Sequence, residues 1–382
     1  MNPKKILVTT NPLATRPANH NHNHNHTHNH NHNQTGFTLV EIMVGLVIGM
    51  LVSIVIVQVL STFEAQKNTT TGTADAQTNG NIALFSIGRE IQQAGYALLP
   101  VTVSPLECTT LTFGGTGITS ISPITIVNVV AAAGVSASDS ITIRYGTSPS
   151  GGVPTQITAA PVGLAVPVQT NFGCAPQDIS LIIKDADNCA ISRVSALTGT
   201  TTVTLEDTTA AISGANLSCL GTWNTVTYAI NNGNLERNGI PSMSGIVNLQ
   251  AQYGLSSDPK FNQVIQWVNA KNLADWVVAV DGASTDFDWG SNMTLASRNR
   301  IKAIRIAVVA RSPKIESTAV TTACNSLTAA QPTGLCAWEG SVASPAPLID
   351  LSANDPNWLR YRYRVFNTII PLRNVIWSKD TL

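Results

Sequence analysis

Seven histidines offer the first chemistry in this chain, and their placement removes most of it. His20, His22, His24, His26, His28, His30 and His32 all lie within residues 1–36, and no histidine follows them. Alternating with Asn and Thr, they form a low-complexity tract that could hold nickel, copper or zinc through imidazole nitrogens. If residues 1–36 are lost, the remainder has no histidine. Ser-His-Asp catalysis, Cys-His catalysis and His-ligated zinc then fall away. The chain has no G-x-x-x-x-G-K-[ST] and no dinucleotide fingerprint, and no carboxylate pair stands out. No enzyme activity and no cofactor is expected.

Four other groups have chemistry to offer. Glu41 is the one charge between residues 37 and 60. A carboxylate at membrane depth is costly alone and calls for a partner. Six cysteines follow: Cys108, Cys174, Cys189, Cys219, Cys324 and Cys336. They permit 15 pairings, and no C-x-x-C favours a zinc ribbon or thioredoxin chemistry. All six lie on the outward side of the apolar segment, where disulfides persist.

The remaining two groups are acids and arginines. Asp185 and Asp187 are spaced like calcium ligands, and Asp281, Asp286 and Asp288 cluster similarly. An EF-hand needs more acids, a Gly at loop position six and a Glu at twelve. Position six from Asp185 is Ala190. Solvated loop acids are the favoured reading, and no metal site is assigned. Arg360, Arg362 and Arg364 alternate with Tyr361, Tyr363 and Val365. Such a pattern could bind single-stranded nucleic acid. It also describes a strand with one wet face and one packed face, which is favoured. Nucleic acid is not expected as a partner.

The elements that must position these residues begin with composition. Charged residues make up 12% of the 382-residue chain. An average protein has about a quarter. Thr, Ser, Asn, Ala, Gly and Val fill the gap, the palette of a β-rich, extracytoplasmic chain. Lys4, Lys5 and Arg16 give residues 1–36 a charge of +3, which leaves 22 − 3 = 19 bases against 22 acids, or −3, for the rest. No general polyanion-binding body is indicated.

Residues 37–60 are apolar apart from Glu41 and contain no proline. As a helix they reach about 36 Å, enough for a bilayer core of about 30 Å. The preceding bases place the N-terminus in the cytoplasm and the bulk of the chain outside. A cleaved secretory signal fits poorly, because the run is long and no A-x-A pattern follows Leu60.

Beyond Leu60 the helix is expected to continue to about residue 94, loosely through the Thr-rich residues 61–80. Ile82, Phe85, Ile87 or Gly88, Ile91 and Gly95 form a stripe to lie on a sheet. Strands are expected at 140–145, 179–183, 225–230, 234–237, 247–253, 304–310 and 361–370, with a hairpin turn at Asn231-Asn232-Gly233. A helical patch is expected at 259–271, with Phe261, Val264, Ile265 and Val268 on one face.

The word G-F-T-L-V-E, Gly36 to Glu41, resembles the processing site of type IV prepilins. In that family a peptidase cuts after the glycine, the new terminal phenylalanine is N-methylated, and a glutamate stands fifth in the mature chain. Here those residues are Gly36, Phe37 and Glu41. Cutting would create an α-amino group on Phe37, a partner for the Glu41 carboxylate of a neighbouring subunit. The histidine tract, longer than leaders usual in the family, would leave with the leader. Gly45 and Gly49 form a G-x-x-x-G step that permits close helix approach. Further runs, I-T-I-R-Y, Y-A-I-N-N-G-N-L-E-R, I-V-N-L-Q-A-Q-Y-G and R-Y-R-V-F-N-T-I-I-P-L-R-N, look like landmarks of PilW-type minor pilins.

The resemblance implies an α+β, pilin-like fold, with a long N-terminal helix on a β-rich periplasmic head. It divides the chain into a leader at 1–36, a helix at 37–95 with 37–60 in the membrane, and a head at 96–382. It implies a minor pilin that primes or joins type IV pilus assembly near the tip by helix bundling. Its partners would be the prepilin peptidase, the other minor pilins and the major pilin, the inner membrane, and a tip adhesin. A type II secretion pseudopilin is the runner-up, and a tethered adhesin or DNA-uptake component the alternative of another class. Pilins often close a loop near the C-terminus, which points to Cys324–Cys336. Proximity in sequence alone suggests Cys108–Cys174 and Cys189–Cys219.

Overall fold

A computed structural model describes residues 36–98, 105–108, 111–127, 138–270 and 299–376. The chain divides into two compact units, residues 1–61 and 62–382. Helix α1 (Leu39–Ile91) contributes to both. Sixteen strands are described after it: β1 (Leu111–Phe113), β2 (Ile124–Val127), β3 (Ser140–Tyr145), β4 (Pro154–Gln156), β5 (Ala165–Pro167), β6 (Ile179–Asp185), β7 (Asn188–Thr198), β8 (Thr202–Leu205), β9 (Asn216–Gly221), β10 (Asn224–Asn231), β11 (Asn234–Arg237), β12 (Ile240–Ser244), β13 (Ile246–Ser256), β14 (Val264–Val268), β15 (Ile301–Ile315) and β16 (Tyr361–Pro371). The result is the expected α+β arrangement, a long helix followed by a β-rich head.

The strands form three sheets. A seven-stranded sheet runs β4-β9-β6-β7-β8-β5, with β1 pairing β7 in parallel; a five-stranded sheet runs β12-β11-β10-β3-β2; a four-stranded sheet runs β14-β13-β15-β16. The β10–β11 hairpin turns on Asn232 and Gly233, at φ 49° and 74°. Two successive positive φ values make a turn whose twist matches the strands, which is why Asn-Gly occurs there.

The second half of α1 is continuous where the sequence suggested looseness. Its threonines bond back onto the helix: Thr69 donates to the Ala65 carbonyl at 3.0 Å, Thr70 to Gln66 at 2.9 Å and Thr73 to Thr69 at 2.8 Å. Those hydroxyls are satisfied without breaking the ladder. Lys314 Nζ also donates to the Ala65 carbonyl, at 2.9 Å, and so ties β15 to the helix. After Ile91 a series of turns carries Gly95 at φ 72°, and its N–H reaches the Arg144 carbonyl at 2.9 Å.

The buried face of α1 differs from the expected stripe. It consists of Gly72, Ala76, Gly80, Ala83, Ile87, Gly88 and Ile91. Ile82 and Phe85 are instead 46% and 69% exposed. Small residues decide the face because they let the helix backbone approach the sheet. A Cβ on Gly72 would meet the Ser312 side chain, and one on Gly80 would meet the Phe366 ring of β16. Ile87 and Ile91 then enter the main core. Each contributes about 1.5–3 kcal/mol by burial. Gly80→Val is expected to lower the melting temperature of the head, since overpacking costs about 1–3 kcal/mol. Phe85→Ser should change stability by no more than about 0.5 kcal/mol. Thermal unfolding of the two variants checks the pair; the stripe read from sequence gives the opposite order.

The helical patch expected at 259–271 is not a helix: residues 259–263 are turn and irregular chain, Val264–Val268 is a strand, and Lys271 lies outside the described residues. Val264–Val268 pairs antiparallel with β13, Tyr253 opposite Val268 and Gly254 opposite Trp267. Its β-branched and aromatic residues fit a pleated surface, and β13 supplies the ladder partner that a local pattern cannot reveal. A Cβ on Gly254 would press into the Trp267 ring.

The two central strands of the four-stranded sheet, β13 and β15, are buried on both faces. Leu249, Ala251, Tyr253, Ile304, Ile306 and Val308 face the main core with α1, while Val247, Ala307 and Val309 face a separate cluster with Leu335, Ala337, Trp338, Ile349 and Trp358. Arg305 joins this cover to the sheet. Its guanidinium lies 4.9 Å from the Trp267 ring centroid and 4.3 Å from that of Trp338, and donates to Gln252 Oε1 at 2.6 Å. Burial lowers the Arg305 pKa to about 10. The group stays charged at neutral pH and stacks on both indoles.

Candidate functional site

The amino-terminal end of α1 is built by a local rule. Thr38 precedes the helix, and Glu41 stands three residues on. The Thr38 N–H donates to Glu41 Oε2 at 2.9 Å, and the Glu41 N–H reaches Thr38 Oγ1 at 3.3 Å. The Thr38 hydroxyl also donates to Glu41 Oε2, at 3.1 Å. This reciprocal pair is a capping box, which satisfies otherwise orphaned donors at a helix start. The reading of Glu41 as an intersubunit partner missed this role, although T-x-x-E before an apolar run is its sequence signature.

From Phe37 to Leu60 every side chain is exposed. Leu39–Ile91 is, among the described residues, one helix long and apolar enough to cross a membrane by length and composition, and none of its apolar window is buried. Added Cβ atoms at Gly45 and Gly49 would meet nothing within 4 Å, so that face is open to another helix. The motif and the long apolar helix are consistent with anchoring in the inner membrane. Gly36 and Phe37 are both exposed at the head of this segment.

The six cysteines form three disulfides: Cys324–Cys336, Cys108–Cys189 and Cys174–Cys219. The last two replace the pairings suggested by proximity, Cys108–Cys174 and Cys189–Cys219. Sheet topology gives the reason. β1 pairs in parallel with β7, Leu111 opposite Cys189, which brings Cys108 to the start of β7. Cys189 on β7 and Cys219 on β9 lie on opposite sides of β6. Two strand spacings amount to about 9.5 Å, beyond the roughly 7 Å that a disulfide tolerates between Cα atoms. Cys219 instead lies opposite Ser180 on β6, close to the turn that carries Cys174.

The other candidates have structural work. Asp185 Oδ1 accepts from the Asp187 N–H at 3.1 Å and Asn188 Nδ2 at 2.7 Å, so it shapes the β6–β7 turn. Asp281, Asp286 and Asp288 lie outside the described residues. Arg360 precedes β16 and donates from Nε to the Glu316 carbonyl at 2.8 Å, while Arg362 Nε meets Glu316 Oε1 at 2.9 Å. Arg362 holds the Glu316 carboxyl below its usual range. Tyr363 packs under the C-terminal cover and donates to the Trp358 carbonyl at 2.9 Å. The packed-strand reading describes β16.

Residues 31–57 match the prokaryotic N-terminal methylation motif, which contains Gly36, Phe37 and Glu41. Residues 222–374 match the family described as type IV pilus-assembly protein W, a stretch that runs from β10 through β16. No curated protein and no solved structure matches the chain. By its amino-terminal motif and the later half of its head, the chain matches a PilW-type, type IV pilus-associated pilin.

Proposed function

We propose that this pilin is cut between Gly36 and Phe37, held in the inner membrane by residues 37–60 with its head outside, and then joined to other pilins to prime or extend a type IV pilus. The mechanism is packing and not catalysis. The observation that carries it is the amino-terminal segment, a capped helix with every side chain from Phe37 to Leu60 exposed and one acid, Glu41, among them. Neighbouring helices cover the apolar faces, and the Phe37 amine of one subunit meets the Glu41 carboxylate of another. A head spanning 96–382 is large for a subunit that others must stack upon. That size favours a place near the tip, beside the other minor pilins and a tip adhesin.

Mass spectrometry of the membrane-derived protein tests the first step. The chain should begin at Phe37, methylated on its amine, with residues 1–36 gone. Peptides covering residues 20–32 in assembled filaments would end the argument. Gly36→Leu should leave the full-length precursor in the membrane.

A further inference from the structure

The head contains a cavity of about 680 Å³ where the β10–β11 turn, the start of β13 and the loop 350–355 meet. Its polar walls include Asn232, Asn248, Arg311, Asp350, Asp355 and Tyr363. The volume falls in the range of about 300–1,000 Å³ usual for small-molecule sites. We propose that it binds a neutral polyhydroxylated ligand, a saccharide, held by Asn248 and Arg311 as donors and Asp350 and Asp355 as acceptors.

Asn248 is the first ground. It is 2% exposed, and its Oδ1 accepts from Gln250 Nε2 at 3.0 Å. With its oxygen taken up by Gln250, the Asn248 NH₂ is the group left available to a ligand. Asn248 Nδ2 has no acceptor among the described residues. A ligand oxygen that accepts from it adds a hydrogen bond within the cavity.

The mixture of groups is the second ground. Asp350 Oδ1 accepts from the Ser352 N–H at 2.8 Å, and Asp355 Oδ1 accepts from the Asn357 N–H at 2.9 Å, so both carboxylates are held in place. Arg311 is fixed by Asp355 Oδ2 at 3.6 Å and by the Tyr361 ring, 4.5 Å from its centroid. Fixed donors and fixed acceptors therefore line one cavity. A phosphate, an anion that mainly accepts, would face two carboxylates. A metal ion or an ammonium would face a guanidinium and an amide NH₂. A hydroxyl both donates and accepts, so several on one rigid ring satisfy both sets.

The test uses the full processed chain in detergent, titrated calorimetrically with maltose, lactose and diacetylchitobiose as neutral probes. At least one should bind at millimolar or lower concentration. Asp350→Asn keeps the Oδ1 cap and removes the charge. Asn248→Leu removes the donor at similar volume. Each should weaken binding by about tenfold, the loss of one hydrogen bond to a desolvated or charged group, while thermal unfolding confirms a folded head. Binding unchanged in both variants would place the sugar elsewhere and overturn the proposal. So would no binding by any of the three probes, or binding of inorganic phosphate or calcium in their stead. If Asn248→Leu fails to fold, Asp350→Asn alone decides.

Discussion

Cells carrying Glu41→Gln should insert, cleave and fold this subunit normally and yet show few surface filaments containing it. Gln serves in a capping box as Glu does. The bonds between residues 38 and 41 therefore survive the change. Only the charge is lost. A drop of about tenfold or more in filament number is expected, because a desolvated charge that loses its partner raises dissociation steeply. Glu41→Ala removes charge and cap together, so any further loss in Ala over Gln measures the cap. Sheared filaments counted by electron microscopy, with an immunoblot for the cleaved subunit, give the readout. Wild-type numbers of pili containing the Gln variant would refute the charge pair and leave the family match standing.

Removing the disulfides one at a time should rank them by the chain each one closes. Cys108–Cys189 spans 81 residues, Cys174–Cys219 spans 45 and Cys324–Cys336 spans 12. Loop-closure entropy gives about 4.5, about 4 and about 2.8 kcal/mol in that order. The Cys108–Cys189 pair replaced by Ser should therefore give the largest fall in melting temperature and in the abundance of the folded protein. The Cys324–Cys336 pair should give the smallest global effect and act on the C-terminal cover. The measurement is thermal unfolding of the oxidised head variants, with free thiols counted by alkylation. Equal losses in all three would mean that native packing, not unfolded-chain entropy, sets their contributions.

What could be read from the sequence followed how local the determinant was. β3 and β11 appear at the expected residues, and the Asn-Gly turn is where a two-residue hairpin requires positive φ. Long β-branched runs made β13, β15 and β16 legible. Most of the seven-stranded sheet was not: β4, β5 and β8 are too short for any period to register. Val264–Val268 spaces its apolar residues as a helix might, and only the edge of β13 decides for a strand. The buried face of α1 was misjudged because Gly and Ala carry little hydrophobic signal, although their smallness is what permits docking.

The amino-terminal segment was legible as a methylation motif and a long apolar helix, both written in consecutive residues, whereas its T-x-x-E cap went unread. The cavity was invisible for the opposite reason. Asn232, Asn248, Arg311, Asp350 and Tyr363 come from separate turns, strands and loops and meet only through tertiary folding. The pairings Cys108–Cys174 and Cys189–Cys219 failed likewise, because a parallel β1–β7 pair cannot be seen from spacing, whereas the short-range Cys324–Cys336 bridge is present as expected.

Two of the disulfides interleave, with Cys174 lying inside the span closed by Cys108 and Cys189, and Cys219 outside it. Under a pulling force, the load entering at Cys108 crosses to Cys189, runs back along the chain to Cys174, and crosses again to Cys219. The stretches 108–174 and 189–219 are thereby taken out of the line of tension, and only 174–189 is left to extend between the bridges. A free chain lengthens by about 3.3–3.6 Å for each residue released, so this shortcut withholds most of the contour between the outer cysteines. A head pulled along its chain would thus reach its tether limit early. Tension beyond that point would be carried by covalent bonds while the strands between them remain close enough to re-pair when the load is released.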